Sequence, residues 1–505
     1  VKGPHLEQLA EIQTGGEDYF SWRSTEYRFV NEETRKRFWS GTNRTSGEII
    51  LWDLVNALKG LGFDLAGKLE PRSVYTPDML RAPLKRYEFG GHMGTFDKEV
   101  FKKAYDRVRR MFLVKGEKLH AIPLEQCEYW GDKSSGAPWF LPKREVYTEA
   151  IHQAYALRRG MAPPPVCVFH RGKNSEEVRP VFGYPFAVTL METRFFQPYQ
   201  AAILNSPSSP YTGGKYDSQI AGLINEGRAK GRWQVELDFS GLDGSASAFL
   251  ISKAFEIIKQ NFRMDEYDLH DWDLIVRFHL FCPVLCPDGK VYYGKDHGVS
   301  SGSMFTQILD TIICMLAIFY CHYSKVMNEN GVYQPVLNVI RALGCGDDSH
   351  LSVIGPPPIL EDVEAKCAEL GLKINLKKSK VKTVKDKPYY LGHYWHRFAP
   401  VRDLEETLIR LVCPERPRPE YWIRTSNPEA YTNALVERIC RYQEDNVDFW
   451  ETGLRLIQCI KYPTLDRRPY LFASSDNLFF VPVAEQVERE RWRQIPKRAD
   501  DEKSR

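Results

Sequence analysis

Apolar and polar positions alternate from Trp233 to Asp238, where Val235 and Leu237 flank Glu236. A period of two predicts a short strand that ends on an acid. The chain breaks at Ser240-Gly241. Over 245–262 the period becomes helical, with Phe249, Leu250, Ala254, Ile257 and Ile258 sharing a face. A hairpin-like segment, 281–293, turns at Pro287-Asp288-Gly289. The Gly/Ser loop 298–303 then leads into a helix from Thr306. Its core, 308–320, is the most apolar run in the chain. That run is shorter than a bilayer span and carries Asp310, so a buried helix is expected rather than a membrane one. A second hairpin follows, with strands at 336–343 and 351–354 and residues 344–349 at its tip. Gly355 and three prolines end it, and 361–370 reads as a helix closed by Gly371. Upstream, 97–113 has helical periodicity, while 134–138 and 205–214 are turn-rich. The last hundred residues look mostly helical. The charged tail from Glu485 is expected to fray beyond Pro496.

A chain of 505 residues has room for two to four domains. Its hydrophobic content of 43% supplies large cores and excludes a disordered chain. Against 69 basic residues stand 66 acidic ones, leaving +3. That total does not announce a nucleic-acid binder. It allows one whose cations line a channel while its acids face outward. The 11 cysteines are scattered singly except for Cys282 and Cys286. That pair has no second pair or histidine partner nearby, so zinc is not expected. The odd count reads as reduced thiols in a cytosol-like compartment. Residues 1–14 hold no apolar signal core, and no internal repeat is visible.

Four short segments carry chemistry. Gly346-Asp347-Asp348 lies at the tip of the second hairpin. Adjacent carboxylates in a tight turn repel each other, and one or two divalent cations convert that cost into a binding site. An exposed polar turn would carry the same tripeptide. Asp238-Phe239-Ser240-Gly241-Leu242-Asp243 places Asp238 at a strand end, where it can join Asp347 around a metal pair suited to phosphoryl transfer. The plainer alternative is an acid at a strand-to-turn junction, with Asp243 capping the next helix. Ser301-Gly302-Ser303-Met304-Phe305-Thr306 presents backbone N–H groups and hydroxyls to a polyanion or a ribose. Simple capping would not explain Thr306 and Asp310 one turn apart on an otherwise apolar helix. His170-Arg171-Gly172-Lys173, followed by Val178-Arg179-Pro180, supplies three cations for a triphosphate, or else a solvated basic loop.

Taken in chain order, from the basic segment to Gly346-Asp347-Asp348, the four segments resemble motifs F, A, B and C of viral RNA-dependent RNA polymerases. The wording Val178-Arg179-Pro180-Val181-Phe182-Gly183-Tyr184-Pro185, Ser301-Gly302-Ser303-Met304-Phe305-Thr306-Gln307-Ile308-Leu309-Asp310-Thr311 and Gly346-Asp347-Asp348-Ser349 is similar to that of bisegmented double-stranded RNA viruses. Partitiviruses come first and picobirnaviruses second. The match runs from about Ser134 to Trp395. The resemblance implies that Asp238, Asp347 and Asp348 bind two Mg²⁺ ions, with Mn²⁺ as a substitute. Asp243, Ser301, Gly302, Thr306 and Asp310 would meet the substrate ribose, and Arg171, Lys173 and Arg179 its triphosphate. Ser134, Ser135 and Gly136 resemble motif G, which guides the template. Lys378 resembles the motif D lysine that protonates pyrophosphate, with Lys377 and Lys380 as neighbours. Leu391-Gly392-His393-Tyr394 resembles motif E, beside the primer strand. Many positive-strand virus polymerases carry Asn where this chain has Asp310. That acid could bond to Ser301, to Thr306, or to Asp243 if one carboxyl is protonated.

The implied fold is α+β, a closed right hand whose palm has a small antiparallel sheet and whose thumb is helical. Residues 1–130 would bridge fingers and thumb, 131–230 form fingers, 231–395 the palm with a fingers insertion at 262–297, and 396–505 the thumb and tail. The implied activity is RNA-directed RNA synthesis for a viral double-stranded RNA genome, started without a primer. Implied partners are single- and double-stranded viral RNA, ribonucleoside triphosphates and a capsid protein, with no membrane, inside a virion in the host cytoplasm. A reverse transcriptase shares the palm but would carry an aromatic ring where Asp243 stands. A virion protein with a dead palm would not need Asp238, Asp347 and Asp348 intact. Protein priming is left open.

Overall fold

The computed structural model describes residues 18–42, 50–69, 77–172, 178–328, 330–396, 399–414, 428–442 and 446–459. The first elements are β1 (Arg23–Glu26), α1 (Glu32–Thr42), α2 (Trp52–Gly60), the one-turn helices α3 (Arg81–Leu84) and α4 (Arg86–Phe89), and α5 (Lys98–Met111). The expected helix at 97–113 is α5. Asp97 caps it by accepting from Glu99 N and Val100 N, and Phe101, Ala104 and Val108 form its buried stripe.

Next come α6 (Tyr147–Arg158), β2 (Val166–Gly172), β3 (Val178–Gly183), α7 (Phe186–Leu204) and α8 (Asp217–Lys230). Strand β4 (Trp233–Asp238) follows with the bounds its alternation predicts. The helix expected over 245–262 is split into a single turn, α9 (Leu242–Ser245), and α10 (Ala248–Lys259). Ala246 is extended between them, and Ser247 caps α10 by accepting from Leu250 N at 3.2 Å. The cap is therefore Ser247 and not Asp243.

Helix α11 (Glu266–Phe281) is additional to the expected elements. It shortens the expected hairpin to β5 (Val284–Leu285) and β6 (Lys290–Tyr293). These strands complete a five-stranded sheet in the order β1-β6-β5-β2-β3. Asp271 of α11 is fully buried and accepts from both Arg158 of α6 and Arg194 of α7. Arg194 also pairs with Asp268 at 2.8 Å. Each buried charge has a partner, as burial requires.

The apolar segment forms α12 (Thr306–Tyr323), in which every residue from Ile308 to Cys321 is buried. It is long and apolar enough to cross a membrane, with a mean hydropathy of 1.3. Instead it is the core helix that α5 and α10 pack against. A small hairpin, β7 (Lys325–Met327) and β8 (Tyr333–Pro335), leads to β9 (Val339–Cys345) and β10 (Asp348–Val353). Helix α13 (Leu360–Glu369) and β11 (Lys380–Thr383) follow, and the central sheet has the order β11-β4-β10-β9, antiparallel throughout. This is the small antiparallel sheet expected of the palm. Strands β12 (Tyr389–Tyr390), β13 (His393–Trp395) and β14 (Pro400–Val401) make a third sheet. Helices α14 (Leu404–Val412), α15 (Pro428–Tyr442) and α16 (Val447–Cys459) share a second core with α2, built on Leu54, Leu58, Leu408, Tyr431 and Leu456. The N-terminal part thus pairs with the five-stranded sheet through β1 and with the C-terminal helices through α2. The charged tail lies outside the described residues.

Candidate active site

The catalytic hairpin is tighter than its sequence suggests. Strand β9 runs to Cys345 and β10 starts at Asp348, so Gly346-Asp347 alone makes the turn. Gly346 has φ 68°, a left-handed conformation at the leading position of a two-residue turn, which favours glycine. Gly346 N donates to Thr311 Oγ1 of α12 at 2.8 Å. Across the sheet, Asp348 lies directly opposite Asp238. Opposed residues on antiparallel strands hold their Cβ atoms about 5 Å apart. Three acids, Asp238, Asp347 and Asp348, are therefore brought to one sheet edge by backbone register. Asp347 and Asp348 keep exposed surface, yet protein crowds them closely. Burial, then the charges of Asp347 and Asp238, push the Asp348 carboxyl up to about 6. Asp347 is raised too, by burial first and with Asp238 contributing.

The segment after α13 braces β4 from its other side. Asp238 N donates to Ser379 Oγ at 3.0 Å, and Asn375 N to Asp238 O at 2.8 Å. Lys378 Nζ stands 3.7 Å from Asp238 Oδ2. Glu236, two residues before Asp238, is buried and accepts from Lys382 Nζ at 2.8 Å and from Tyr389 N at 3.0 Å. That pair ties the β12–β13 hairpin to the strand carrying Asp238.

Asp243 sits in the α9 turn. Its carbonyl accepts from Val299 N and its carboxyl is hydrogen-bonded to that of Asp310. Of the three partners open to Asp310, the structure selects Asp243. Two carboxyls so joined must hold a proton between them. Burial, then the charge of Asp347, raises Asp243 to about 6. Burial and Asp243 hold Asp310 well above the ordinary carboxyl range. The second oxygen of Asp310, Oδ1, has no hydrogen-bond partner among the described residues.

The Gly/Ser loop is held from several sides. Ser301 Oγ accepts from Phe182 N of β3 at 3.0 Å. A Cβ on Gly302 would collide with the Phe182 carbonyl, so only glycine fits. Thr306 Oγ1 is within donating distance of Ser300 O, 2.6 Å, and Ser303 O, 2.9 Å.

Arg171 and Arg179 are exposed and face each other across the β2–β3 pair. Like charges directly opposite are unfavourable unless an anion lies between them. The charge of Arg179 acts to lower the carboxyls of Asp243, Asp347 and Asp348, so it looks into the same cleft. Lys173 lies outside the described residues. In the 134–136 loop only Ser134 is exposed. Ser135 is fully buried, with its hydroxyl accepting from Leu141 N, and Gly136 is wedged against the Tyr184 carbonyl. Ser135 and Gly136, expected to meet the template, are thus packed within the loop and leave Ser134 as its exposed member.

Sequence reading missed several supports. Tyr211 Oη donates to Gln307 Oε1 at 2.7 Å, and Gln307 reaches Cys345 Sγ at 3.1 Å beside the catalytic turn. Glu192 of α7 holds the Gly/Ser loop from below. Gln307 and Thr311 stand within the motif B segment. Glu192 and Tyr211 lie far from it along the chain and leave no local signal.

Residues 174–417 match the family model described as viral RNA-dependent RNA polymerase. The RNA-directed RNA polymerase of Cryptosporidium parvum virus 1 (strain KSU-1) is 26% identical over 222 residues, which is 41% of this chain and 38% of that relative. The chain thus matches well under half the length of that curated relative. Among solved structures, the RNA-dependent RNA polymerase of a human picobirnavirus covers 90% of this chain and 91% of its own, with a TM-score of 0.65 and 18% identity. Its insertion-loop deletion mutant gives a TM-score of 0.66 at 18% identity, covering 93% of this chain and 97% of its own. The fold is therefore that of the right-hand viral polymerases, as the sequence resemblance implied.

Proposed function

We infer that this chain, with its right-hand polymerase fold and its match to the viral RNA-dependent RNA polymerase model across all three acids, is an RNA-directed RNA polymerase of a double-stranded RNA virus. The observation that carries the reading is the placement of Asp238 opposite Asp348, with Asp347 at the turn and an arginine pair facing the same cleft.

Among the described residues no group of three His, Cys, Asp or Glu side chains is closed around a metal position. What supports a cation here is charge: Asp238 raises the carboxyls of Asp347 and Asp348, and Asp347 raises that of Asp348, which is the repulsion a cation relieves. Asp238, Asp347 and Asp348 would hold two Mg²⁺ ions, or Mn²⁺ in their place. Such ions would lower the pKa of an attacking 3′-hydroxyl and offset the negative charge of departing pyrophosphate. Arg171 and Arg179 bind the triphosphate through forked guanidinium contacts. Lys378, beside Asp238, is placed to hand a proton to pyrophosphate. Asp243 accepts from the ribose 2′-hydroxyl, and a site built for that hydroxyl rejects a sugar without it. Ser301, Gly302 and Thr306 shape the floor of the ribose and template site, and Ser134 meets the template.

Synthesis starts without a primer, on single- and double-stranded RNA. The assay supplies labelled ribonucleotides and Mg²⁺ with unprimed templates. Full-length product is expected, and loss of product with deoxyribonucleotides. Product from deoxyribonucleotides alone would favour a reverse transcriptase. No product with any template would overturn the reading. The same reading places the enzyme with its capsid protein inside a virion in the host cytoplasm, which co-sedimentation with particles tests.

A further inference from the structure

Helix α7 belongs to the fingers, and its residue Glu192 is entirely buried. One carboxyl oxygen accepts from Ser303 Oγ at 2.7 Å, the other from Met304 N at 2.8 Å. Ser303 Oγ in turn accepts from Phe305 N at 3.1 Å. The start of a helix leaves backbone N–H groups without internal partners, and α12 begins at Thr306. Met304 N lies ahead of that helix, in the loop that leads into it, and a carboxyl from another helix, more than a hundred residues away, gives it an acceptor. It does so at the loop whose Ser301 takes the amide of Phe182 and whose Gly302 rests on the Phe182 carbonyl. The loop is therefore gripped at two points, both on the fingers, while its far end continues into the palm helix carrying Asp310 and Thr311.

A buried carboxyl is costly, and Glu192 is not needed for volume alone, since leucine or methionine would fill the space. Burial pushes it up to about 7 against the pull of Ser303, Met304 and Lys143. Neutral and ionised forms both exist at neutral pH, and either accepts from Met304 N and bonds to Ser303.

We propose that Glu192 is a positioning residue that sets the Ser300–Ser303 loop, and with it the ribose and template surface, from the fingers side. The idea rests on the polymerase reading, and Glu192 acts through Ser303 and Met304 without touching substrate.

Two variants separate positioning from mere folding. Glu192→Gln keeps an acceptor for Met304 N and donates to Ser303 Oγ, so both contacts survive. Glu192→Leu removes both while filling the space and relieving the buried carboxyl. The KM for ribonucleotides should rise on the order of tenfold in Glu192→Leu, the effect of leaving a buried donor unpaired. Its kcat should fall less, its preference for ribonucleotides should drop, and Glu192→Gln should stay near wild type. A KM within twofold of wild type for Glu192→Leu would overturn the proposal, as would equal defects in both variants. Hydrogen exchange of the Met304 and Phe305 amides gives a readout independent of activity. These amides should be protected in wild type and Glu192→Gln and exchange faster in Glu192→Leu. Unchanged exchange in Glu192→Leu would sink the proposal. If wild type makes no RNA while the exchange pattern appears, the polymerase reading fails and the loop anchor stands.

Discussion

Asp347 carries the sharpest expectation at the scale of single residues. Replacing it with Asn keeps its size and removes one charge from the acidic edge. Synthesis should fall on the order of 10³-fold or more, with circular dichroism and melting unchanged or improved. A folded variant with a tenth of wild-type activity would remove Asp347 from the machinery. The same acids make stability depend on pH. Asp348 and Asp243 are pushed up to about 6, and Asp347 and Asp310 are also raised. Unfolded aspartates titrate near pH ~3.9, so this contribution is present below that pH and is lost as pH rises through the folded values. The metal-free protein should therefore melt lower at about pH 8 than at about pH 5.5, and a divalent cation should raise the melting point more at the higher pH. Equal cation shifts at both pH values would argue that the acids do not form the cation site. Asp243→Ala tests sugar choice. Because Ser247 caps α10, the variant should lose discrimination against deoxyribonucleotides by more than its change in melting temperature would explain. Intact discrimination in the active variant would assign the sugar contact elsewhere.

Elements matter through the core helix α12. Its first turns carry Gln307, Asp310 and Thr311, which reach Cys345, Asp243 and Gly346 respectively. One helix thus bears on the Gly346-Asp347 turn, on Asp243 and on the Gly/Ser loop together. Thr311→Val keeps the shape and removes the acceptor for Gly346 N. A buried amide left unpaired costs about 1–3 kcal/mol. The variant should melt lower by that amount and lose activity beyond what its folded fraction predicts. Activity that tracks the folded fraction alone would mean the helix supports the fold without aiming the turn. Position 136 teaches a similar lesson. A turn-rich stretch was legible in the sequence, but only packing against Tyr184 shows that Ser135 and Gly136 are turned inward.

For the whole molecule, the near balance of charge is the informative quantity. On the proposed reading, a chain of net charge +3 must concentrate its cations around the acids, where Arg179 and Lys378 are found. Binding should then depend steeply on salt, because each neutralised phosphate releases counterions. A filter-binding Kd that stays flat from low to physiological salt would contradict an RNA channel of this kind. Two cores, one around α12 and one joining α2 to α14–α16, organise the described residues.

Local order was legible in the sequence wherever one face of an element is buried. Alternation fixed β4, the apolar run fixed α12, and the acids of both hairpin strands announced themselves as Asp238 and Gly346-Asp347-Asp348. Such signals are written in neighbouring residues, because side-chain period and turn chemistry are local properties. Tertiary structure decided everything that depends on register between distant segments. It placed Asp348 opposite Asp238, set the Asp310 carboxyl beside Asp243 rather than Ser301 or Thr306, brought Lys378 within 3.7 Å of Asp238, and brought Glu192 beneath the Gly/Ser loop. Helix α11 also escaped the sequence, since its buried face includes Asp268, Asp271 and His279 while Tyr267, Leu269 and Phe281 stay exposed, so no clean apolar stripe marks it. A contact between residues a hundred positions apart leaves no period to read, and only the packed chain determines which acid meets which partner.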